Sequence, residues 1–212
     1  MTPITTATNT PGKPIKVGHR PRLIAITPDG KTAYVVNQGG TVTPIATATN
    51  TPGKPIKVGG QPYSAIAITP DGKTVYVANT GTNTVTPIST ATNTPGKPIK
   101  VGVNRKVTPP GGHSFFESPE PWAIAITPDG KTAYVASFAS GTVTPIATAT
   151  NTPGKPIKVG KGAWAIAITP DGKTAYAISF YPCTATPIST ATNKAGKPVK
   201  VGRGPEAIAI AP

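Results

Sequence analysis

The chain has 212 residues, and 37% of them are apolar. A chain of this length can bury a substantial core as one domain. Its 21 Lys and Arg residues against 7 Asp and Glu residues give a formal net charge of +14 at pH 7. No apolar run approaches the roughly 20 residues of a membrane span, no N-terminal stretch resembles a signal peptide, and the one cysteine, Cys183, excludes an internal disulfide.

A repeated segment organises the whole chain. The sequence TPDGK begins at Thr27, Thr69, Thr127 and Thr169, at intervals of 42, 58 and 42 residues. The sequence GKP recurs five times, with its glycine at positions 12, 53, 96, 154 and 196. A fixed period in this range indicates a repeat architecture.

Each repeat divides into four short predicted strands. The first has the sequence AIAI and ends at a Pro-Asp-Gly turn, where Asp can bond its own backbone and Gly accepts a positive φ. The second, of the type KTAYVVN, is rich in β-branched and aromatic residues, and a loop of Gly, Asn or Ser leads to the third, of the type TVTPIAT. A TNTPG turn then leads to KPIKV, so the unit is predicted to be a four-stranded antiparallel meander.

Apolar side chains lie on both faces of the first two predicted strands, so one meander cannot bury its own apolar surface. Strands of this kind are covered on both sides, and four-stranded sheets arranged radially around an axis cover each other in this way. Small Ala residues suit the crowded inner edge, whereas Lys and Pro in the fourth strand suit an exposed outer edge. The sequence therefore predicts an all-β fold, a β-propeller of four-stranded antiparallel blades.

Counting the units in chain order predicts five blades in a single domain, residues 1–212. Residues 1–18 have the pattern of a third and a fourth strand, and Ala207 to Ile210 that of a first strand, so the two ends are predicted to share one blade that lacks a strand. Other outcomes stay open: the gap in that blade remains, another chain fills it, as in self-association, or the repeats continue in a longer propeller. The predicted units are 19–59, 60–102, 103–160 with an insertion at 103–118, 161–202, and 203–212 together with 1–18.

These repeats resemble the YVTN family of β-propeller repeats over essentially the whole chain. The signature strand is YVVN from Tyr34, YVAN from Tyr76, YVAS from Tyr134 and YAIS from Tyr176. The resemblance implies the propeller fold and is compatible with a secreted or cell-surface protein, but such propellers serve as surface proteins, cofactor-enzyme subunits and binding scaffolds. The sequence does not decide the compartment. The third strand departs from the family in carrying a proline, so we expect a bulge or local fraying at Pro44, Pro87, Pro145 and Pro187.

The lysines follow the repeat. Ten of them come from the five GKPxKVG segments and four from the TPDGK turns, which spreads them around the rim and one face. Solvated lysines that keep the ring soluble account for this pattern. A weak, salt-sensitive attraction to polyanions is still expected, and a binder of nucleic acid or acidic glycan is an alternative function.

Recognition is expected where the repeats differ. In a propeller, the loops between strands two and three share one face with the links from strand four to the next strand one, and these connectors are the variable segments here. Aromatic residues with arginine suit anionic or sugar-like ligands, although packing between blades and solvation of the rim are alternatives. The candidate ligand-binding residues on this face are Arg20, Arg22, Tyr63, Arg105, His113, Phe115, Phe116, Glu117, Trp122, Phe138, Trp164, Phe180 and Tyr181.

The insertion at 103–118 accounts for the 58-residue interval between TPDGK segments. Its Pro-Pro-Gly-Gly sequence disfavours a helix or a strand, and it contains His113, Phe115, Phe116 and Glu117. Two adjacent aromatic residues are consistent with a lid over the central mouth or with a loop tucked against the neighbouring blade.

Catalytic signals are few. The aspartates of the TPDGK segments are expected to form turns, and two histidines, His19 and His113, are too few for a metal site without carboxylates. No metal or cofactor is predicted. We favour a non-enzymatic binding or surface-interaction module whose ligand, a small molecule, glycan or protein, binds the variable face. The alternative from another class is a lyase or hydrolase with the insertion over the channel, with His113 and Glu117 as its acid–base pair.

Overall fold

The structure is a computed structural model that describes residues 1–62, 64–107 and 115–211, with the backbone alone for residues 105–107 and 115–117. Strands dominate these ranges, and their helical content is a single 3-10 turn, Thr80–Thr82. Within the same ranges, no helix has the length and apolar character needed to cross a membrane.

The secondary structure repeats along the chain. A two-stranded antiparallel ladder, β1 Ile4–Thr5 with β2 Thr10–Pro11, is followed by four sheets of a common design that we number as blades 1 to 4. Blade 1 contains β3 Pro21–Ile26, β4 Thr32–Asn37, β5 Thr41–Ala46, β6 Thr51–Pro52 and β7 Ile56–Lys57. Blade 2 contains β8 Ile66–Ile68, β9 Thr74–Asn79, β10 Thr84–Ser89, β11 Thr94–Pro95 and β12 Ile99–Lys100.

The second half of the chain follows the same plan after one added hairpin. The hairpin pairs β13 Arg105–Val107 with β14 Phe115–Glu117. Blade 3 contains β15 Pro121–Ile126, β16 Thr132–Ser137, β17 Thr142–Ala147, β18 Thr152–Pro153 and β19 Ile157–Lys158. Blade 4 contains β20 Ala163–Ile168, β21 Thr174–Ser179, β22 Thr184–Ser189, β23 Lys194–Ala195 and β24 Val199–Lys200.

The blades are four-stranded and antiparallel, as predicted, with the outer strand divided into two short pieces. The first strands of successive blades are in contact: β3 contacts β8, β8 contacts β15, and β15 contacts β20. One open cavity of about 380 Å³ is lined by residues from all four blades and by Glu206 from the C-terminal segment. The units therefore stand around a common axis, and the fold is a five-bladed β-propeller with an incomplete fifth blade.

The fifth blade is less regular than expected. Its outer part is the β1–β2 ladder, extended by hydrogen bonds in both directions between Met1 and Ile15, at 2.7 and 3.0 Å. Residues 207–210, predicted as its first strand, form no ladder, so that prediction is wrong. In the complete blades the first strand pairs only with the second strand of the same blade. Among the described residues of the fifth blade, no second strand lies between residues 207–210 and β1, which pairs only with β2.

The third-strand prolines leave the inner ladder intact, so the expected bulge or fraying is wrong there. Pro44 lies opposite Tyr34 in an unbroken register between β4 and β5. Because proline has no N–H to donate, the interruption falls on the outer strand, which splits into β6 and β7 around Gly53. The N–H of Gly53 donates to the Pro44 carbonyl oxygen at 2.7 Å, and the other blades repeat this arrangement at Pro87, Pro145 and Pro187.

The four aspartates form turns, as predicted. In the first turn, Asp29 Oδ1 accepts hydrogen bonds from the Thr27 hydroxyl at 2.6 Å and from the Lys31 backbone N–H at 3.1 Å. These two donors, the hydroxyl first, hold the pKa of Asp29 below its usual value. The same bonds recur at Asp71, Asp129 and Asp171, so these carboxylates serve the scaffold.

The hydrophobic core lies between blades. Between blades 1 and 2, Tyr34, Val36, Ile56 and Val58 of one sheet pack against Val75, Val77 and Ile88 of the next. Equivalent clusters lie between blades 2 and 3 and between blades 3 and 4. On the other side of blade 1, Ala33, Val35 and Ile45 pack against Ile15 and Val17 of the N-terminal segment. Blades 1 to 3 thus pack apolar side chains of both faces against their neighbours, whereas blade 4 does so on the face towards blade 3.

A tyrosine–asparagine hydrogen bond joins each complete blade to the next complete one. The hydroxyl of Tyr34 donates to Asn93 Oδ1 at 2.7 Å, that of Tyr76 to Asn151 Oδ1 at 2.6 Å, and that of Tyr134 to Asn193 Oδ1 at 2.7 Å. The asparagines stand in the TATN loops with left-handed backbones, φ 53 to 55°, which Asn tolerates better than most residues. The repeated Asn therefore has two roles, one in its own turn and one as an acceptor for the preceding blade.

Removal of one tyrosine hydroxyl tests this connection. Tyr134→Phe should lower the free energy of unfolding by about 1 kcal/mol, because the hydrogen bond to Asn193 is lost. Tyr176→Phe is the matched control, since Tyr176 holds the same place in blade 4 but makes no hydroxyl hydrogen bond with a described residue. Equal losses in urea denaturation of the two variants would contradict the assignment.

Burial of the tyrosines also predicts a loss of stability at alkaline pH. Burial raises the pKa of Tyr76 from 10.0 to about 12, with a smaller contribution from Asp71, and burial raises the pKa of Tyr34 and Tyr134 too. A raised pKa means that the stabilisation is complete below pH 10 and is lost as the pH rises through the folded-state value. Urea denaturation should show the free energy of unfolding falling between about pH 10 and pH 12, and Tyr76→Phe should reduce that slope.

Candidate ligand site at the variable face

The variable connectors meet at one end of the ring. The backbone N–H of Gln38 donates to Arg20 O at 3.1 Å, that of Phe138 to Glu120 O at 2.8 Å, and that of Phe180 to Gly162 O at 2.8 Å. In each pair, a residue just after the second strand bonds to the link that enters the first strand. The accepting residues have left-handed backbones, φ 51 to 79°. In blades 1, 3 and 4 the scaffold therefore fixes where the first residue of the variable loop lies. We call this end the variable face.

A β-bulge places the residue that precedes each AIAI core. The ladder between first and second strands shifts register between Pro21 and Leu23, between Pro121 and Ala123, and between Ala163 and Ala165. Arg22, Trp122 and Trp164 are therefore the extra residues, outside the regular pairing. A bulge re-aims its side chain, and this position varies among otherwise similar strands: Arg22, Ser64, Trp122, Trp164 and Glu206.

Five of the aromatic candidates form one contiguous group, which we call the aromatic cluster: Trp122, Phe138, Trp164, Phe180 and Tyr181. The indole rings of Trp122 and Trp164 lie with their centroids 4.8 Å apart at an interplanar angle of 40°. Phe138 contacts both, at 5.8 and 5.6 Å. Phe180 lies 6.1 Å from Trp164 and 5.6 Å from Tyr181. Such offset and edge contacts stabilise aromatic pairs beyond their burial.

The outer end of the cluster is solvent-exposed and cationic. Tyr181 is 58% exposed, and Lys161 Nζ lies 5.6 Å from its ring centroid, within cation–π distance. The other four rings are half-buried. The cluster thus runs from an open rim at Tyr181 to the two indoles beside the axis.

The indoles border the central cavity of about 380 Å³. Eight of its ten lining residues are apolar and the other two are Ser64 and Glu206, but about half of the surface that it exposes is polar. The Ser64 hydroxyl donates to Pro121 O at 2.7 Å, and its oxygen also lies 3.0 Å from the Thr80 hydroxyl. Glu206 is exposed. Apolar side chains together with a few polar ones are a common feature of small-molecule sites.

The remaining candidate residues lie outside the aromatic cluster, and the structure describes only some of their side chains. Arg20 and Arg22 are exposed on the links into blade 1. Tyr63 and His113 lie outside the described residues, and for Arg105, Phe115, Phe116 and Glu117 the side chains are not described. Their backbones form the added hairpin, in which Arg105 lies opposite Glu117 and Lys106 opposite Phe116. The expectation that the insertion contains no strand is therefore wrong at its flanks, where RKV and FFE have strand-forming residues.

Sequence reasoning missed Ser64 and Glu206. Both occupy the bulge position, two residues before the first Ile of the AIAI core. Superposition of the five units on that core would have shown that this position varies more in residue type than the core that follows it. The longer connectors were favoured as candidate sites because they are rich in proline, glycine and aromatic residues.

Two further cavities belong to the repeated turns. A cavity of about 600 Å³ lies between the Asp29 and Asp71 turns, and one of about 430 Å³ lies between the equivalent turns of blades 3 and 4. Both are lined by residues that recur in every blade, so their size follows from the spacing of the turns. In the part of the chain that the structure describes, no three His, Cys, Asp or Glu side chains converge as a metal site would require.

Comparison with known proteins supports the fold. No protein-family model and no curated protein matches the sequence. A chain of Kuenenia stuttgartiensis hydrazine synthase is similar in structure, with a TM-score of 0.70 and 28% sequence identity over 88% of this chain and 51% of that chain. This chain therefore spans about half the length of that solved chain. In all, 1311 solved chains match, so the fold by itself does not select a function.

The indole contact predicts a spectroscopic signature. Trp122 and Trp164 are the two tryptophans of the protein, and their 4.8 Å separation should produce an exciton couplet in the circular dichroism spectrum. Trp164→Phe should abolish the couplet and leave the β-sheet signal unchanged. Tyr181→Phe should retain it. A wild-type spectrum without a couplet would contradict the placement of the indoles.

Proposed function

We propose that this YVTN-like propeller is a non-enzymatic binding module that takes a small ligand on its variable face, against Trp122 and Trp164. The observation that carries the proposal is the contact between these two indoles at bulge positions beside the central cavity. An indole supplies a large, rigid contact surface at low conformational cost. Two of them beside a cavity favour recognition over packing alone.

The chemistry of the cavity restricts the ligand. Its walls include Leu23, Ile66 and Ile124, which suit an apolar surface. Ser64 uses its proton on a backbone carbonyl, and an ionised Glu206 carboxylate can only accept. The ligand should therefore donate hydrogen bonds from a scaffold that can stack on an indole. A sugar ring and an organic ammonium ion both meet this description.

The alternatives account for fewer features. The lysines of the GKPxKVG segments are exposed around the rim, and polyanion binding there gives no reason for the aromatic cluster. The similar solved chain is part of hydrazine synthase, which is an enzyme. For this reason the lyase or hydrolase hypothesis stays as the second candidate function. The carboxylates of the TPDGK turns are held in the turns, which leaves Glu120 and Glu206 among the described carboxylates, and of these two Glu206 lines the central cavity.

The test is a titration of the whole protein with monosaccharides, short oligosaccharides and choline, followed by tryptophan fluorescence and calorimetry. Trp164→Ala should weaken binding by at least about tenfold, since truncation of a buried indole contact has an effect of this size. Lys54→Ala, an exposed rim lysine remote from the cluster, should leave the affinity unchanged. Glu206→Gln should weaken choline binding about tenfold and sugar binding much less, which identifies the ligand class.

Two results would overturn the proposal. Binding that disappears at moderate salt and is unaffected by Trp164→Ala would assign the protein to the polyanion binders. Conversion of a bound compound to product would assign it to the enzymes.

A further inference from the structure

The exposed apolar surface of this protein is concentrated at one position of the ring. Five of the seven large apolar side chains that are exposed among the described residues lie there: Ile4, Ile24, Ile26, Val199 and Val201. They come from three places, namely β1, the first strand of blade 1 and the outer strand of blade 4. Together they border the second-strand position of the fifth blade.

Each of these side chains is more exposed than its counterparts in the complete blades. Ile4 is 63% exposed, whereas the equivalent Ile45 is 1% exposed. Ile24 and Ile26 correspond to Ile66 and Ile68, which pack on Tyr34 and Val36.

The exposed valines of blade 4 follow the same rule. Val199 and Val201 correspond to Ile56 and Val58, which are buried in one cluster with Val75 and Val77. In every comparison the covering residues include those of a second strand. The chain therefore shows, in its complete blades, what kind of segment these surfaces fit.

Hydrogen-bonding groups are available at the same position. Asn50 has the left-handed backbone of its equivalents, φ 55° against 53° for Asn93, and yet no described residue donates to its side chain. Asn93 accepts the tyrosine hydroxyl of the preceding blade. β1 pairs with β2 on one edge, and no strand of the described residues pairs with the other. The free edge of β1 and the side chain of Asn50 are thus both available to bind an added strand.

We propose that the fifth blade is a strand-acceptor site for an extended polypeptide segment with the sequence pattern of the repeat's own second strand. The segment would pair antiparallel with β1, as β9 does with β10. Its valines would cover Ile4, Val199 and Val201, and its tyrosine would cover Ile24 and Ile26 and donate to Asn50. Pairing gives affinity and the alternating side chains give selectivity.

A second copy of the chain fits the site less well. All four second strands of a copy, β4, β9, β16 and β21, are already paired on both edges within their blades. A copy could supply one of them only by opening a complete blade and exposing its core. The occupant is therefore a segment of repeat type that is not already paired within a complete blade.

The probe is a fluorescein-labelled peptide with the sequence TPDGKTVYVAN, which is that of residues 69–79. It should bind the whole protein in an anisotropy titration, and unlabelled peptide should displace it. Ile24→Glu with Ile26→Glu should weaken binding at least tenfold. These side chains are exposed, so the substitutions do not remove core contacts. Val103→Glu, at an exposed apolar side chain outside this position, should have no effect.

The hydrogen bond to Asn50 is tested by a double-mutant cycle. A peptide with Phe in place of Tyr should bind wild-type protein about fivefold more weakly, as expected for one lost hydrogen bond. The same peptide should bind Asn50→Ala no more weakly than the Tyr peptide does. With Asn93→Ala as the matched control protein, the fivefold difference between the peptides should persist.

Three outcomes would overturn the proposal. They are no binding of the peptide, binding that ignores the Ile24 and Ile26 substitutions, and a fivefold difference between peptides that survives in Asn50→Ala. Analytical sedimentation of the protein without peptide tests whether a second copy of the chain occupies the surface. A dimer that Ile24→Glu dissociates would assign the surface to a second copy and would also contradict the proposal. None of these measurements depends on the aromatic cluster. Because Ile24 also lines the central cavity, the Asn50 cycle is the measurement that stands apart from the ligand titration.

Discussion

Burial between neighbouring blades is the interaction on which this structure depends. A blade carries apolar side chains on both faces, and the four clusters of the core all lie between one unit and the next. The aromatic content is only 6%, so the packing rests on Ile, Val and Ala together with one buried tyrosine in each of blades 1 to 3. That tyrosine reaches the TATN loop of the next blade, and its hydroxyl fixes the rotation of the two sheets against each other. Because each contact involves consecutive units, stability propagates around the ring from one blade to the next.

The same dependence explains where variation is tolerated. Residues in the ladders and turns are constrained twice, by their own blade and by the neighbour. The bulge position lies outside the regular pairing of the ladder, and it holds four residue types in five units. The residue after the second strand is fixed by a backbone hydrogen bond, which places no demand on its side chain. Recognition can therefore change at these positions while the scaffold stays constant.

The sequence was sufficient for elements with local signals. The Pro-Asp-Gly turns and the KTAYVVN strands follow from short-range chemistry, and the antiparallel blades and the propeller follow from apolar residues on two faces of each strand. Trp122, Trp164, Phe138, Phe180 and Tyr181 were predicted to share a face, and the structure brings them into contact.

Other features depend on register, which no single segment encodes. The bulge at Trp122 is defined only by the pairing of β15 with β16. The effect of Pro44 depends on which edge of β5 faces outward. The hairpin of Arg105–Val107 with Phe115–Glu117 joins two segments across a turn-rich sequence, and the irregular end at 207–210 reflects an absent neighbour rather than an unsuitable sequence.

The divided outer strand has a consequence for the behaviour of the protein in concentrated solution. A chain of near-identical β-units carries many copies of one strand sequence, which is the situation in which sheets of different molecules join and grow into fibrils. Here the outermost segments are two residues long, such as Thr51–Pro52 and Ile56–Lys57, with a glycine, a proline and a lysine between or beside them. An edge this short and charged offers no template for another sheet. The proline that interrupts each rim thus protects a repetitive sequence from its own capacity to aggregate.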